Sequence, residues 1–285
     1  FRDCTDLKSI KLPEGLDLIG DYAFCGCTNL LGVTIPHGVK SIGSHAFDDC
    51  HSLETLYIPD SALDLGDYLF FGAGIKEVRL PQGLYEIKNG MFCCCVNLKH
   101  VSIPTGVYSI GSSAFDRCRS LESVSIPEGV VWIHSYAFAD CESLKAIWLP
   151  DSAVELKEYL FSRCKDLSAV RLPQGLKIVE YGMFSGCSNL SSIDIPSSVE
   201  GIERYAFFGC SMLTSIDIPA SVAIIEDSAF SECQKLSSIE VEEGNSAYRV
   251  VGGMLCDFGV SNLLCCPPGI GVTDVYLPDT IQKIS

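Results

Sequence analysis

The sequence has few basic residues, no long apolar run and no catalytic fingerprint. Its 20 Lys and Arg residues stand against 36 Asp and Glu residues, and the net charge of −16 argues against nucleic acid or an anionic membrane surface as a partner. No apolar run approaches the roughly 18 residues that a membrane-spanning helix needs, and no basic-then-apolar signal segment opens the chain. The 285 residues are nevertheless 47% apolar, which predicts a large core and excludes a disordered chain.

Three residue types recur at a fixed spacing of 23 residues, with a single step of 22. The prolines of this series are Pro13, Pro36, Pro59, Pro81, Pro104, Pro127, Pro150, Pro173, Pro196 and Pro219. The phenylalanines are Phe1, Phe24, Phe47, Phe70, Phe92, Phe115, Phe138, Phe161, Phe184, Phe207 and Phe230. Ten of the 16 cysteines follow the same spacing, with one coil skipped: Cys4, Cys27, Cys50, Cys95, Cys118, Cys141, Cys164, Cys187, Cys210 and Cys233. The chain is therefore an array of repeats.

The repeat unit predicts its own local structure. Written from the Phe, it reads F-x-x-C-x-x-L-x-x-[IV]-x-[IL]-P-x-x-[LV]-x-x-[IVL]-x-x-x-[ALM]. The alternation before the Pro, as in 121–126, predicts a short strand that the Pro ends, and 129–133 predicts a second, shorter extended piece. The segment S-x-A-F-x-x-C is too short for a stable helix and predicts turns or one 3₁₀ or α turn. Stacked copies then bury the apolar columns that one coil cannot bury alone.

A second period of four coils lies on top of the first. PDSALDLGDYLF from Pro59 matches PDSAVELKEYLF from Pro150, and PQGLYEIKNGMF from Pro81 matches PQGLKIVEYGMF from Pro173. The one 22-residue coil contains FFGAGIKEVRLP, in which Ala73 or Gly74 stands in place of the Cys. A block of four coils has thus been copied within the chain.

This unit closely resembles the BspA-like type of leucine-rich repeat over residues 1–241. The resemblance implies a single leucine-rich-repeat right-handed solenoid over 1–285, an α/β horseshoe by class but built mostly from short parallel strands and turns with little helix. Residues 242–285 resemble the longer variant coil of that family, with E-G-N-S-A-Y at 243–248, a predicted hairpin over 253–266 and the start of a further coil. Both ends fall inside a coil, so we expect the native protein to continue in at least one direction.

The same resemblance implies a secreted or surface-attached protein of the adhesin kind. We therefore expect a non-catalytic domain at the cell surface or outside the cell, with a host matrix or cell-surface protein as its ligand. Two alternatives stay open: a carbohydrate-binding or polysaccharide-acting solenoid, and a purely structural spacer. Because a shared fold does not determine function, the residues that differ between coils must decide.

The variable column that faces outward lies two residues before each Pro. Alternation along a strand turns it away from the core, and in a horseshoe it lies on the concave face. In order, the column is Lys11, Thr34, Tyr57, Arg79, Ser102, Ser125, Trp148, Arg171, Asp194, Asp217 and Glu240. Since Tyr, Trp and Arg dominate binding hot spots, we predict a ligand-binding surface, with acids joining it at the C-terminal end. Its predicted residues are Tyr57, Arg79, Trp148, Arg171, Asp194 and Asp217.

The acidic C-terminal part of the array offers a further hint about partners. Between residues 191 and 247 there are ten acidic residues and two basic ones. This part would favour a basic partner or divalent cations, or would serve only to keep the array soluble.

We expect no catalysis, no metal and no cofactor. The five histidines (His37, His45, His51, His100 and His134) occupy five different repeat positions, which predicts solvated surface residues and no catalytic constellation. G-x-S-x-G, H-E-x-x-H, Walker and Rossmann fingerprints do not occur.

The cysteines are predicted to be packed thiols. Equivalent cysteines in stacked coils have parallel Cβ vectors that suit a disulfide poorly, and paired C-x-x-C spacing for zinc is missing. Cys256 could approach Cys265 or Cys266 if the predicted hairpin forms. Cys25, Cys93 and Cys94, which lie outside the series with these three, are expected to be exposed or half-exposed.

Overall fold

A computed structural model of the chain describes residues 1–271 and 276–284. It is a β-solenoid of about 12 turns, with about 23 residues per coil and almost no helix. The predicted leucine-rich-repeat solenoid of short strands and turns is confirmed.

The strands are two to four residues long. In chain order the first twelve are β1 (Ser9–Lys11), β2 (Leu18–Ile19), β3 (Gly32–Thr34), β4 (Ser41–Ile42), β5 (Thr55–Tyr57), β6 (Asp64–Leu65), β7 (Glu77–Arg79), β8 (Glu86–Ile87), β9 (His100–Ser102), β10 (Ser109–Ile110), β11 (Ser123–Ser125) and β12 (Trp132–Ile133). The others are β13 (Ala146–Trp148), β14 (Glu155–Leu156), β15 (Ala169–Arg171), β16 (Ile178–Val179), β17 (Gly201–Ile202), β18 (Ser215–Ile218), β19 (Ile224–Ile225), β20 (Ser238–Val241), β21 (Tyr248–Val251), β22 (Met254–Asp257), β23 (Asn262–Cys265) and β24 (Lys283–Ile284), with a 3₁₀ helix at Pro268–Ile270.

Each regular coil has three sides, and backbone hydrogen bonds between coils occur on each of them. The strands that precede the repeat Pro pair in parallel as β1–β3, β5–β7, β9–β11, β13–β15 and β18–β20, with Ser9 opposite Gly32 in the first pair. The shorter strands form the parallel sheets β2–β4–β6, β8–β10–β12–β14 and β16–β17–β19. The third side consists of the predicted turns around the repeat Phe. There too the backbones connect, since the amide of Phe115 donates to the carbonyl of Ala137 at 2.8 Å.

The coil that lacks one residue keeps its place in the stack. Thr55 lies opposite Glu77, a step of 22 residues, and the pairing remains parallel. The shortening is absorbed at Gly74, whose amide donates to the Cys50 carbonyl at 3.1 Å. A Cβ at Gly74 would overlap the carbonyl oxygen of His51, so only glycine allows so close an approach of the two backbones.

The repeat phenylalanines form one continuous stack through the core. Neighbouring rings from Phe1 to Phe230 have centroids 5.2–5.9 Å apart and interplanar angles of at most 18°. Rings at such spacings stack with an offset and gain attraction beyond their burial. The stack is the central column of the core.

The repeat cysteines are packed thiols, as predicted, and they also donate hydrogen bonds. All sixteen cysteines lie in the described part of the chain and are free. From Cys27 to Cys233, each repeat Sγ donates to the carbonyl oxygen of the repeat Phe one coil earlier, at 3.0–3.2 Å. A thiol is small enough for the column and is a weak donor, which accounts for cysteine at this position.

The expectation for Cys93 was wrong. Its side chain is only 6% exposed, and its Sγ lies 3.9 Å from Oδ2 of Asp116 in the next coil. The next coil covers this turn position, which adjacency in sequence does not reveal. Cys25 and Cys94 are half-exposed, as expected. Cys256 lies opposite Leu263 in the β22–β23 pair and is buried as a free thiol.

The turns repeat a left-handed backbone conformation at two positions in each coil. One lies two residues before the repeat Phe and holds Tyr22, His45, Tyr68, Ser113, Tyr136, Tyr159, Tyr205 and Ser228, with φ between 53° and 64°. The other lies two residues after it and holds Asp3, Asp49, Cys94, Arg117, Asp140, Arg163 and Glu232, with φ between 53° and 62°. Glycine would fit these positions with less strain, so the larger side chains lower the stability of these turns.

The regular array ends in a small mixed sheet. β21 and β22 are antiparallel, β22 and β23 form an antiparallel hairpin, and β24 pairs in parallel with β23. Asn245 joins this sheet to the array because its Nδ2 donates to the carbonyls of Pro219 and Val222 at 2.9 and 3.0 Å. The Tyr248 hydroxyl accepts from the amide of Ile225 at 2.7 Å. These side chains replace the backbone contacts of a further regular coil.

Truncating a ring in the middle of the Phe stack should destabilise the fold strongly. We expect Phe138→Ala to lower the free energy of unfolding by about 3–5 kcal/mol, because a fully buried ring is removed from a packed column. Urea denaturation followed by circular dichroism measures the change. Phe1→Ala is the matched control, since Phe1 occupies the same repeat position but is 62% exposed. Equal losses in the two variants would contradict a continuous buried stack.

Native-state alkylation should separate the cysteines into two groups. Burial raises the pKa of the Cys50 thiol to about 12, so the reactive thiolate is scarce and covered at pH 8. We expect iodoacetamide to modify the exposed Cys4 and Cys266 first, and the buried repeat cysteines only after unfolding. Peptide mass spectrometry with and without urea reads out each site. Repeat cysteines that react at the rate of Cys4 in the folded protein would refute the packing.

Candidate binding surface on the strand face

The side chains two residues before each repeat Pro form an exposed row, which we call the strand face. In β5 the middle residue Leu56 is buried while Tyr57 points outward, as strand alternation requires. The six predicted binding residues, Tyr57, Arg79, Trp148, Arg171, Asp194 and Asp217, are all exposed on this row. Their backbones are held by the inter-coil pairing, except that residues 192–194 are not a regular strand.

Tyr57 and Arg79 contact each other in the first part of the strand face. They are opposite residues of the β5–β7 pair, and the Arg79 guanidinium lies 4.5 Å from the centroid of the Tyr57 ring. Nη1 of Arg79 donates to the Tyr57 hydroxyl, and its Nη2 lies 3.4 Å from Oδ2 of Asp60. Asp60 is held in turn by the backbone amide of Gln82 at 3.0 Å. The chain's own arginine therefore covers this ring.

Trp148 and Arg171 are the equivalent pair four coils further along. Arg171 donates through Nη1 to the carbonyl of Leu149 at 3.0 Å and through Nη2 to Asp151 at 2.8 Å. Asp151 also accepts from the amide of Gln174 at 3.0 Å, and these two donors, Gln174 first, lower the pKa of its carboxyl. Arg171 is thus turned toward the backbone and away from the ring.

The two copies of the block therefore differ in one respect that matters for binding. The guanidinium lies over one face of Tyr57 in the first copy, where this residue is 43% exposed, whereas Trp148 in the second copy is 60% exposed. Trp148, Arg171 and Asp194 line a cleft of about 350 Å³ on the strand face. This is the place on the row where a large apolar surface and fixed polar groups lie open together.

Beyond this cleft the strand face is acidic. Asp217 and Glu240 are opposite residues of the β18–β20 pair, and Asp194 precedes them in the same row. Within residues 1–271 and 276–284, none of the three carboxylates has an ion-pair partner. The row thus changes from aromatic and basic to acidic along the array.

The described residues contain no group of three or more His, Cys, Asp or Glu side chains placed to hold a metal ion. In the same part of the chain, no helix has the length and apolarity to cross a membrane. Of the histidines, His45 departs from the expected solvated setting. It packs between the rings of Tyr22 and Tyr68, and its Nδ1 lies 2.9 Å from Oδ2 of Asp48.

The repeat unit, its stacked core and its exposed row agree with a sequence-family match. A family model for the BspA type leucine rich repeat region matches residues 1–122 and 108–237, in six copies. The chain belongs to the BspA-type leucine-rich-repeat family. A search of curated protein sequences gave no match.

Solved structures of bacterial repeat proteins share the fold of this chain. A leucine-rich repeat protein from Bacteroides ovatus is 25% identical with a TM-score of 0.60, over 86% of this chain and 75% of that one. The pneumococcal vaccine antigen PcpA is 23% identical with a TM-score of 0.61, over 84% of this chain and 63% of PcpA. A leucine-rich repeat protein from Eubacterium ventriosum is 22% identical with a TM-score of 0.55, over 84% and 80%.

A second surface of this BspA-type array escaped the sequence analysis. Tyr159, Tyr181, Tyr205 and Phe208 come together on the turn side, and we call them the aromatic cluster. Gly182 lets these rings come together, because a Cβ at this position would lie 2.6 Å from the Tyr159 ring and would overlap it. The sequence does show that Tyr recurs two residues before the repeat Phe. It does not show that the turn there is left-handed and exposes these rings.

Glu180 lies next to this cluster in the chain. Burial, and then the neighbouring carboxylate of Glu203, raise the pKa of Glu180 to about 7. Glu158 and Glu155 act in the same direction as Glu203, and Lys157 opposes them. The carboxyl is therefore partly protonated at neutral pH.

Replacing Glu180 should change how stability depends on pH. The folded protein holds a proton on Glu180 between its unfolded pKa, near 4.3, and about 7, so its contribution to stability falls as pH rises through this window. We expect Glu180→Gln to gain about 1–2 kcal/mol over wild type between pH 5 and pH 8, after allowing for solvent screening. Urea denaturation at four pH values measures this gain.

Glu243→Gln is the control for that measurement, since it makes the same charge change at an exposed site. The difference in unfolding free energy between Glu243→Gln and wild type should change much less with pH. If Glu180→Gln is as flat as the control, Glu180 does not hold a proton in the folded state.

Proposed function

We propose that this chain is a non-catalytic binding region of a secreted or cell-surface protein, and that the strand face binds a protein ligand. The observation that carries the proposal is the open Trp148 ring beside the fixed guanidinium of Arg171. Aromatic rings and arginines of this kind dominate the binding energy at protein interfaces. Tyr57 and Arg79, four coils earlier, provide a second contact of the same residue types, and Asp194 and Asp217 extend the surface.

The rigidity of the array supports this proposal. Trp148 and Arg171 are opposite residues of the β13–β15 pair, so their backbones are fixed before a ligand arrives. Arg171 is fixed further by its bonds to Leu149 and Asp151. Because few groups have to be ordered on association, more of the contact energy remains as affinity.

Membership of the BspA-type family also supports it. Leucine-rich repeats generally mediate protein interaction, and the family's repeat proteins are generally not enzymes. The columns that define the repeat are filled by core residues, which leaves the variable strand face as the surface that distinguishes one member from another. We therefore place the ligand on this face and the protein at the cell exterior, as an adhesin would be.

The test uses the labelled chain against immobilised extracellular-matrix proteins and cultured epithelial cells. We expect the double variant Trp148→Ala with Arg171→Ala to weaken binding at least tenfold, because both hot-spot side chains are lost. The thermal midpoint should stay within a few degrees of wild type, because both residues are exposed. Tyr108→Ala is the matched control, since Tyr108 is an exposed aromatic residue outside the strand face.

Three results would count against the proposal. Equal binding by the double variant would exclude the strand face as the contact surface. Binding to a glycan array, without binding to any protein or cell, would favour the carbohydrate alternative. A wild-type chain that binds none of these targets would favour the spacer.

A further inference from the structure

The rings of the aromatic cluster stand at steep angles to one another. Tyr159 and Tyr181 have centroids 5.2 Å apart and planes at 66°, Tyr181 and Tyr205 are at 5.6 Å and 90°, and Tyr205 and Phe208 are at 5.5 Å and 83°. With Ser185 they line a cleft of about 280 Å³. Tyr159 also stacks on Tyr136, with centroids 4.8 Å apart and planes at 14°, and the Arg204 guanidinium lies 4.8 Å from the Tyr205 centroid, so one face of each of these two rings is already covered.

Elsewhere on the turn side the rings cover one another. Tyr22 and His45 are parallel within 5° at 4.7 Å, and His45 and Tyr68 within 8° at 5.1 Å. The stack is interrupted at Gly182, where the column has no ring, and Tyr181 enters from the neighbouring position instead. The cluster is therefore a place on this side where several aromatic rings line an open cleft.

Negative charge lies around the cluster. Glu158 and Glu180 directly precede Tyr159 and Tyr181 in the chain, and Oε2 of Glu203 accepts from the amide of Tyr181 at 2.9 Å. The neighbouring bases are Lys157, which pairs with Glu155, and Arg163, which pairs with Asp140, together with Arg204. A chain with a net charge of −16 adds to the attraction for a cation. These charges favour a positively charged occupant over a neutral one.

The chain's own arginines show which cation suits its rings. The guanidinium of Arg204 lies 4.8 Å from the Tyr205 centroid, that of Arg2 lies 4.9 Å from Tyr22, and that of Arg249 lies 4.1 Å from Phe258. A guanidinium stacks on aromatic faces and is less strongly hydrated than an ammonium, while its N–H groups donate to carboxylates.

We propose that the aromatic cluster binds an arginine side chain of a basic protein segment, with the guanidinium in the cleft that Tyr159, Tyr181, Tyr205 and Phe208 line. This site is on the turn side of the coils and does not rest on the function proposed for the strand face.

The probe is the peptide acetyl-Gly-Gly-Arg-Gly-Gly-amide, titrated in 150 mM NaCl and followed by saturation-transfer NMR. We expect weak binding that Tyr159→Gly and Tyr205→Gly each reduce about fivefold, within the range of a desolvated cation–π contact. The same peptide with citrulline in place of arginine keeps the shape without the charge and should not bind. Thermal denaturation of both variants confirms that they fold.

Tyr68→Gly is the matched control. Tyr68 occupies the same turn position in the first copy of the block, its φ is 53°, and its ring lies over Gly90 as that of Tyr159 lies over Gly182. This variant should bind the arginine peptide as wild type does.

Each of four results would overturn the proposal. The citrulline peptide would bind as well as the arginine peptide, or Tyr68→Gly would weaken binding as much as Tyr159→Gly. The cluster variants would bind like wild type, or a neutral oligosaccharide would bind at the cluster while the arginine peptide did not.

Discussion

Backbone hydrogen bonds between neighbouring coils run along all three sides of the solenoid, and they require equivalent residues to lie over one another about 4.8 Å apart. The core follows from that requirement, since a ring in the Phe column meets rings of its own kind above and below. The surface follows from it too. A side chain that points outward is held at a position set by coil number, whatever its own chemistry.

The periodicity of the sequence was enough to predict the core columns and the outward direction of the strand-face residues. The core columns and the outward direction depend only on the spacing of residues, because a position that has the same surroundings in every coil is filled by the same residue type. The conformations of long side chains could not be predicted in this way. Both arginines reach the equivalent aspartate, but Arg79 also lies over the Tyr57 ring, while Arg171 donates to the Leu149 carbonyl. The difference depends on side-chain torsions and on neighbours in the next coil, which a repeat pattern does not contain.

The thiol column reconciles a cysteine-rich chain with the location that we propose for it, outside the cell. From Cys27 to Cys233, each repeat thiol is buried and donates to a Phe carbonyl, as Cys118 does to Phe92 at 3.0 Å. Burial also raises the pKa of these thiols, well above the ordinary value for Cys118 itself. An oxidant that acts on thiolates therefore finds little to attack. Alanine at position 73 is buried at the cysteine position without the sulfur donor, so the column tolerates the loss of one thiol.

The copied block of four coils allows surface and core to be compared within one chain. Both copies bury the same repeat columns, and Phe70 and Phe161 are equally inaccessible. Their surfaces have diverged: the ring at 57 is covered by an arginine, while the ring at 148 is open and the aromatic cluster lies in the second copy. Since the core demands nothing of these exposed positions, stability does not account for the difference. The proposed binding function would account for it, since the open Trp148 ring and the aromatic cluster are both surfaces that a ligand could contact.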